Sequence, residues 1–222
     1  HHGDHRQDER QRQEERGLRR LGGGAAHLGY ALAWAVFGLT HSLLARPFVK
    51  DRLHGLLGPY YRLAYNLFAV AQIAAVFAAG WFLLGGGPSF ARPGWADPVL
   101  GVVYLGGWAL MVAALSGYDL GRLSGLEQIR AHRKGIAEPE DEPLRRDGLH
   151  RFVRHPAYAA GFLILWGQVV DPLTAATAVW GSLYLLIGSH FEERWLLSHY
   201  GDAYAAYRRK VPAFIPWKGR VL

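Results

Sequence analysis

The chain has 222 residues and a net charge of +7; half of its residues are apolar, 19% are charged and none is cysteine. The length suits one compact unit, and a chain this rich in apolar and aromatic residues is not a disordered one. Without cysteine, a disulfide framework, a thiolate metal site and a cysteine nucleophile are all excluded. The basic excess suits nucleic acid or anionic lipid.

Residues 1–24 form a charged tail with six Arg and five acidic residues. A segment of this kind is typical of a solvated helix or a disordered tail. Because uncharged segments of membrane-spanning length follow it, we expect the tail to meet lipid headgroups, and we expect no nucleic-acid partner.

Three long segments without any charge follow the tail, within residues 25–118. A bilayer core about 30 Å thick needs about 20 apolar residues in a helix, and uninterrupted runs of this length do not fit barrel strands. The sequence therefore predicts three membrane-spanning helices in this part of the chain. The segments are 25–44, 63–84 and 98–118.

Two further uncharged segments, 156–170 and 172–189, lie close together. The first would reach only about 22 Å as a helix, so it crosses the membrane only with help from the preceding residues, or is re-entrant. Between them, Asp171 and Pro172 resemble a helix N-cap followed by a proline at the first helical position. This pattern predicts a tight helical hairpin whose two ends face the same side.

The distribution of Lys and Arg predicts the orientation in the membrane. Residues 119–155 carry eight basic residues and the segment after residue 189 carries six. The hairpin places both on one side, which we expect to be the cytoplasm. Five spans then place the N-terminus outside, and the six Arg of the tail disagree with that position. The predicted fold is an all-α integral membrane protein with about five transmembrane helices, a tight C-terminal helical hairpin and a cytoplasmic C-terminal helical segment. An even number of spans is the alternative.

Arg154, His155 and Tyr158 flank the start of the fourth apolar segment. Pro156 disfavours helix at the residue before it, so His155 is predicted to lie in a bend next to a helix N-terminus. The simpler interpretation is a basic membrane anchor with an interfacial tyrosine.

Glu192 and Glu193 stand at the end of the fifth segment, where a basic flank is usual and carboxylates are costly. They are either functional or solvated acids paired with Arg154 or Arg194. Tyr204 and Tyr207 share one helix face, which also suits ordinary docking of an amphipathic tail. Together, the cations, carboxylates and aromatic rings suit a zwitterionic or cationic cofactor that carries a carboxylate.

At these residues the chain resembles a known family. RHPAYAAG followed by EERWLLSHYGDAYAAYRRKVPAFIP resembles the membrane methyltransferases related to isoprenylcysteine carboxyl methyltransferase and phospholipid methyltransferase, over about residues 148–217. HSLLARPFVK and YDLGRLSGLEQIRAHRKG resemble the bacterial methanethiol S-methyltransferase branch. A group associated with denitrification loci also resembles the HSLLA stretch.

The resemblance implies S-adenosylmethionine as the cofactor, held by residues 119–222 at the cytoplasmic face of a bacterial inner membrane. The resemblance also implies a small thiol such as methanethiol, or another lipophilic molecule, as the methyl acceptor. We expect no metal site. His155 is predicted to take the thiol proton, and Arg154 or Arg209 to favour the thiolate. The residues that the family motifs place at the cofactor are Arg154, His155, Pro156, Tyr158, Gly161, Glu192, Glu193, Tyr204 and Tyr207.

Other functions fit parts of the same pattern. A carboxyl methyltransferase of this family has Arg before Val-Pro, whereas this chain has Lys210, which cannot make the same bidentate contact with a carboxylate. A lipid amine methyltransferase is a further alternative. A non-enzymatic haem or metal membrane protein would use His41 and His190, although lone histidines in membrane spans more often hydrogen-bond between helices. A denitrification-associated membrane protein is a further non-enzymatic alternative. The methyl acceptor and the oligomeric state are left open by the sequence.

Overall fold

The computed structural model describes residues 2–137 and 143–217, with side chains described from residue 23 onward except for Pro47. Within these ranges the chain is helical and contains no strand. The tail and the first apolar segment form one continuous helix, α1, over His2–Leu44. The other α-helices are α2 (Pro47–Leu57), α3 (Tyr61–Leu84), α4 (Ala96–Leu115), α5 (Leu120–Ser124), α6 (Leu126–Lys134), α7 (Pro156–Gly167) and α8 (Pro172–Lys210); short 3-10 helices cover Gly58–Tyr60 and Gly148–Arg151.

Three helical stretches are long and apolar enough to cross a membrane: Phe48–Leu84, Ala96–Leu115 and Pro172–Lys210, with mean hydropathy between 1.2 and 2.2. They identify an all-helical integral membrane protein. Helices α1 and α7 are not among them, and α7, with 12 residues, is only about 18 Å long. The total of five spans therefore stays a prediction.

Helix α7 ends earlier than the apolar segment from which it was predicted. It stops at Gly167, and four residues lead to α8. Asp171 accepts a hydrogen bond from the Thr174 backbone N–H at 2.8 Å, and the Thr174 hydroxyl lies 3.0 Å from the Asp171 backbone nitrogen. This capping box, with Pro172 as the first helical residue, is the start of α8 that the sequence predicts.

The contacts between helices α7 and α8 pair in reverse order along the chain, which shows that the two helices run antiparallel. A Cβ atom at Gly161 would lie 3.0 Å from Leu185, and one at Gly181 would lie 2.9 Å from Leu165. On its other side, α7 packs closely on α4, where the backbone of Gly107 approaches that of Ile164. Small residues allow this approach of helix backbones within a membrane.

Helices α1, α3 and α8 meet at a buried cluster built on Tyr30, Trp34, Phe37 and Val76. The Tyr30 hydroxyl hydrogen-bonds Thr177 of α8 at 2.8 Å. This contact fixes α1 against α8 on the side of the bundle where α8 begins.

Helix α8 has non-helical backbone at Gly201, with φ 51° and ψ −127°, a left-handed φ that favours glycine. The break separates the long apolar part of α8 from its last turns. Tyr204, Tyr207 and Val211 beyond the break form a second buried cluster, against which Leu144 packs. The predicted C-terminal helical segment is thus held against the end of the bundle.

Candidate active site

The segment that begins α7 is tied to the chain after α8. The backbone N–H of Arg154 donates to the Pro212 carbonyl at 2.9 Å, and that of His155 donates to the Ala213 carbonyl at 3.0 Å. The Arg154 guanidinium also donates to the Val211 carbonyl. His155 has φ −124° and ψ 68° as the residue before α7, so it lies in the bend that the sequence predicts.

Glu193 is the centre of an ion-pair network. Nε of Arg154 donates to its Oε1 atom at 2.7 Å, and Nη2 of the same guanidinium contacts that oxygen too. Nε2 of His155 lies 3.0 Å from Oε1, and Nε of Arg208 lies 3.8 Å from Oε2. The Glu193 side chain is only 15% exposed, and its Oε1 atom is held by Arg154 and His155 together.

His155 is buried between two aromatic rings. Its ring stacks on Tyr158 at a centroid distance of 5.4 Å, and the Phe214 ring lies 5.7 Å away. Its Nδ1 atom lies 3.8 Å from Oε2 of Glu192, on the side opposite the contact with Glu193. Both ring nitrogens therefore face carboxylates.

Glu192 differs from its neighbour because its side chain is 44% exposed. Its carboxylate lies near the Tyr158 hydroxyl, and within the described ranges no donor approaches it as closely as Arg154 approaches Glu193. Of the two adjacent carboxylates, Glu193 is engaged within the protein, and Glu192 retains accessible oxygen atoms for a ligand.

Tyr204 and Tyr207 are both buried, with ring centroids 6.0 Å apart. The Tyr207 hydroxyl donates to the His150 carbonyl at 2.6 Å, and Tyr204 lies beside the Arg154 guanidinium. The structure thus places both rings where the C-terminal segment docks on the rest of the chain. A contact of these rings with the cofactor stays a prediction.

His150 supports the site and was missed in the sequence interpretation, although it stands only four residues before Arg154. Its Nδ1 atom donates to the Arg154 carbonyl at 3.1 Å, and the Tyr118 hydroxyl donates to Nε2 at 2.9 Å. Burial lowers the pKa of His150, which favours the neutral ring that these two partners require.

Two residues of the predicted set lie away from this network. Arg209 is exposed, and no ion pair reaches it from the part of the chain that the structure describes, whereas the adjacent Arg208 faces Glu193. Gly161 lies further along α7, beside Leu185, in the wall of an apolar groove. Pro156 is the first residue of α7, as predicted.

The residues present fit a cofactor with a cationic amino-acid group. An accessible carboxylate at Glu192 lies beside the ring of Tyr158 and that of His155. The ammonium of such a ligand would find an opposite charge there.

Several known methyltransferases are similar to this chain. The chain is 30% identical over 200 residues to methanethiol S-methyltransferase 1 of Bradyrhizobium diazoefficiens, which covers 86% of this chain and 67% of that protein. It is 36% identical over 83 residues to the protein-S-isoprenylcysteine O-methyltransferase of Schizosaccharomyces pombe, covering 35% of this chain and 34% of that protein. Nurim of Xenopus laevis is 28% identical over 158 residues, covering 68% and 55%. No family model and no solved structure matches the chain.

The apolar helices, together with the similarity to named methyltransferases, identify an integral membrane protein of the methyltransferase class. More narrowly, the chain belongs to the membrane methyltransferase family that contains the methanethiol S-methyltransferases and is related to isoprenylcysteine methyltransferase.

Proposed function

We propose that this membrane methyltransferase uses S-adenosylmethionine to methylate a small, apolar thiol, with methanethiol as the reference substrate. The observation that carries the proposal is the similarity to methanethiol S-methyltransferases over 86% of the chain, which includes the N-terminal helices. The similarity to the isoprenylcysteine enzyme covers only 35% of the chain.

The cofactor, when bound, supplies an electrophilic methyl group, so the protein has mainly to bind, orient and exclude water. Glu192 is the proposed partner of the cofactor's ammonium group because its carboxylate is accessible. Arg209 is the proposed partner of an anionic group, since no side chain in the described part of the chain pairs with it. The residues proposed to shape the site around these two are Arg154, His155, Pro156, Tyr158, Gly161, Glu193, Tyr204 and Tyr207.

Glu193 is proposed to lock the site rather than to bind the ligand. Arg154 and His155 both bond its Oε1 atom, and both are also tied to the C-terminal segment through their backbone N–H groups. The role of His155 as the proton acceptor stays a prediction. Its contacts with two carboxylates favour a positioning role.

The proposal is tested by incubating the purified protein with methyl-labelled S-adenosylmethionine and a panel of acceptors. The panel contains methanethiol, longer alkyl thiols, a prenylcysteine and phosphatidylethanolamine, and products are identified by mass spectrometry. We expect labelled thioethers from the small thiols. Label in the prenylcysteine or the lipid alone would overturn the thiol assignment.

Carboxyl methylation of a prenylcysteine is the second candidate, because the local identity of 36% to an isoprenylcysteine methyltransferase is the highest of the three relatives compared. Lys210 in place of an arginine weakens it, since a lysine cannot bind a carboxylate in the bidentate manner. A Lys210→Arg variant that gained prenylcysteine methylation would support a carboxylate site at this position.

A further inference from the structure

His41 and Tyr65 form a polar pair between two apolar helices, away from the network around Glu193. The Tyr65 hydroxyl of α3 lies 2.9 Å from Nε2 and 3.2 Å from Nδ1 of His41 on α1. One hydroxyl proton bonds only one nitrogen at a time, so the ring keeps a second polar atom for another partner.

The surroundings of the pair are aromatic. The Phe37 ring lies 5.5 Å from the His41 ring, and the Tyr184 ring lies 6.1 Å from it. No acidic or basic side chain pairs with His41 in the described ranges. An ionisable group among membrane helices is costly, and it is retained mainly where it has a function.

An apolar groove of about 380 Å³ begins at the same aromatic rings. Phe37 and Tyr184 belong to its wall, together with Trp34, Met111, aliphatic side chains and glycines. Val70, another wall residue, is 64% exposed and belongs to a helical stretch of membrane-spanning length, so the groove opens on the outer surface of the bundle. Its lining suits a small, apolar molecule.

The groove also borders the helix that carries the site motif. Gly161 of α7 is part of its wall, one turn beyond Tyr158. The Tyr158 hydroxyl lies near the Glu192 carboxylate and 3.9 Å from the position that a Cβ atom would take at Gly188 of α8. The groove thus extends from the Tyr184 ring beside His41 to the turn of α7 next to Tyr158.

We propose that His41, oriented by Tyr65, accepts the proton of a thiol that enters the groove from the membrane. The S–H bond breaks and its proton passes to a ring nitrogen of His41. The thiolate sulfur then uses a lone pair to bond the methyl carbon, and the bond between that carbon and the donor's sulfonium breaks, leaving its electron pair on the donor sulfur. The inference rests on the proposed thiol methyltransferase function and assigns a residue to its proton transfer.

The first test is His41→Gln, which keeps a hydrogen-bonding group but removes the base. The matched control is His27→Gln, an exposed histidine on the same helix. For thiols less acidic than cysteine, whose pKa is about 8.5, we expect turnover to fall by about 100-fold or more. For thiols already ionised at pH 7, we expect a loss below about threefold, since no base is then needed. The control should match the parent enzyme for both groups of thiols.

The second test needs no turnover. The thiolate absorbance of an aromatic thiol is measured in the protein at pH 7 with S-adenosylhomocysteine present. The parent protein should raise the bound thiolate fraction, and His41→Gln should abolish that rise while it binds S-adenosylhomocysteine as the parent does. Tyr65→Phe, which affects only the orientation of His41, should give an intermediate loss of about tenfold with weakly acidic thiols.

An equal loss across all thiols in His41→Gln would overturn the proposal, because it would indicate a structural role. A loss that depends on thiol acidity in His155→Gln but not in His41→Gln would overturn it as well and assign the proton to His155. If the parent enzyme methylates no thiol but methylates a prenylcysteine or a lipid, the proposed function itself is wrong.

Discussion

Glu192 and Glu193 are adjacent in sequence but differ in exposure, and this difference predicts different effects of the same substitution. Glu192→Gln removes an accessible negative charge without breaking the network around Glu193. Charge-assisted hydrogen bonds contribute about 1.5–3 kcal/mol, so we expect S-adenosylmethionine to bind at least about tenfold more weakly. Titration calorimetry on the detergent-solubilised protein measures this change.

The control for that experiment is Glu127→Gln on α6, which removes a carboxylate whose ion pair within the described ranges is with Arg130 of its own helix. Its cofactor affinity should equal that of the parent. Binding by Glu192→Gln within twofold of the parent would contradict the assignment of Glu192 to the ammonium group.

Glu193→Gln is predicted to act on stability first. The substitution leaves the Arg154 guanidinium and the buried His155 ring without their carboxylate partner. Removing one member of a buried ion pair leaves an uncompensated charge, so we expect unfolding to become easier by about 2 kcal/mol or more. A thermal unfolding scan with Glu127→Gln as the reference tests this, and an unchanged Tm would refute the proposed lock.

His150 gives the site a dependence on pH. Burial lowers its pKa below the usual 6.5; the hydrogen bond to the Arg154 carbonyl opposes this change, and the charge of Arg145 adds to it. The unfolded chain therefore binds a proton more readily than the folded one, and stability is lost as the pH falls below about 6.5. The drop in Tm between about pH 7.5 and pH 5.5 should be smaller in His150→Gln than in the parent; an equal drop would contradict this assignment.

At the scale of elements, the closest helix contact is that between α4 and α7. A Cβ atom at Gly107 would lie 2.8 Å from the backbone nitrogen of Ile164, and backbone cannot rotate away as a side chain can. Gly107→Ala should therefore separate the two helices and lower stability by about 1–3 kcal/mol, the usual effect of overpacking. A thermal unfolding scan or a chymotrypsin digestion series measures the loss.

Gly106→Ala is a matched control on the same helix, since nothing lies within 4 Å of the Cβ atom it would add. It should leave the Tm unchanged or raise it slightly, because alanine favours helix more than glycine does. If both variants unfold at the same temperature, the α4–α7 contact does not limit stability.

For the whole molecule, the basic residues on both sides of the α7–α8 hairpin predict that residues 119–155 and the C-terminal segment share the cytoplasmic side. Single cysteines are informative here because the parent chain has none. In intact spheroplasts, a membrane-impermeant thiol reagent should label Gly94→Cys and leave Ala137→Cys and Asp202→Cys unlabelled until the cells are opened. Labelling of Ala137→Cys and Asp202→Cys from opposite sides would disprove this arrangement.

Several elements were predictable because local rules decide them. Asp171 and Pro172 start α8, and Pro156 starts α7 with His155 in the preceding bend. Each of these depends on the conformational limits of one or two residues. The end of α7 was placed three residues too late, because hydropathy alone does not mark where an apolar helix stops.

The sequence by itself determined the membrane class, the main helices and the candidate residues 154–158 and 192–193, since these depend on runs of apolar side chains and on short motifs. Only the tertiary structure decided that Glu193 is held by Arg154 and His155 while Glu192 keeps an accessible carboxylate. It alone brought His41 beside Tyr65. The reason is that these contacts join helices distant in sequence, and their distances depend on how the whole bundle packs.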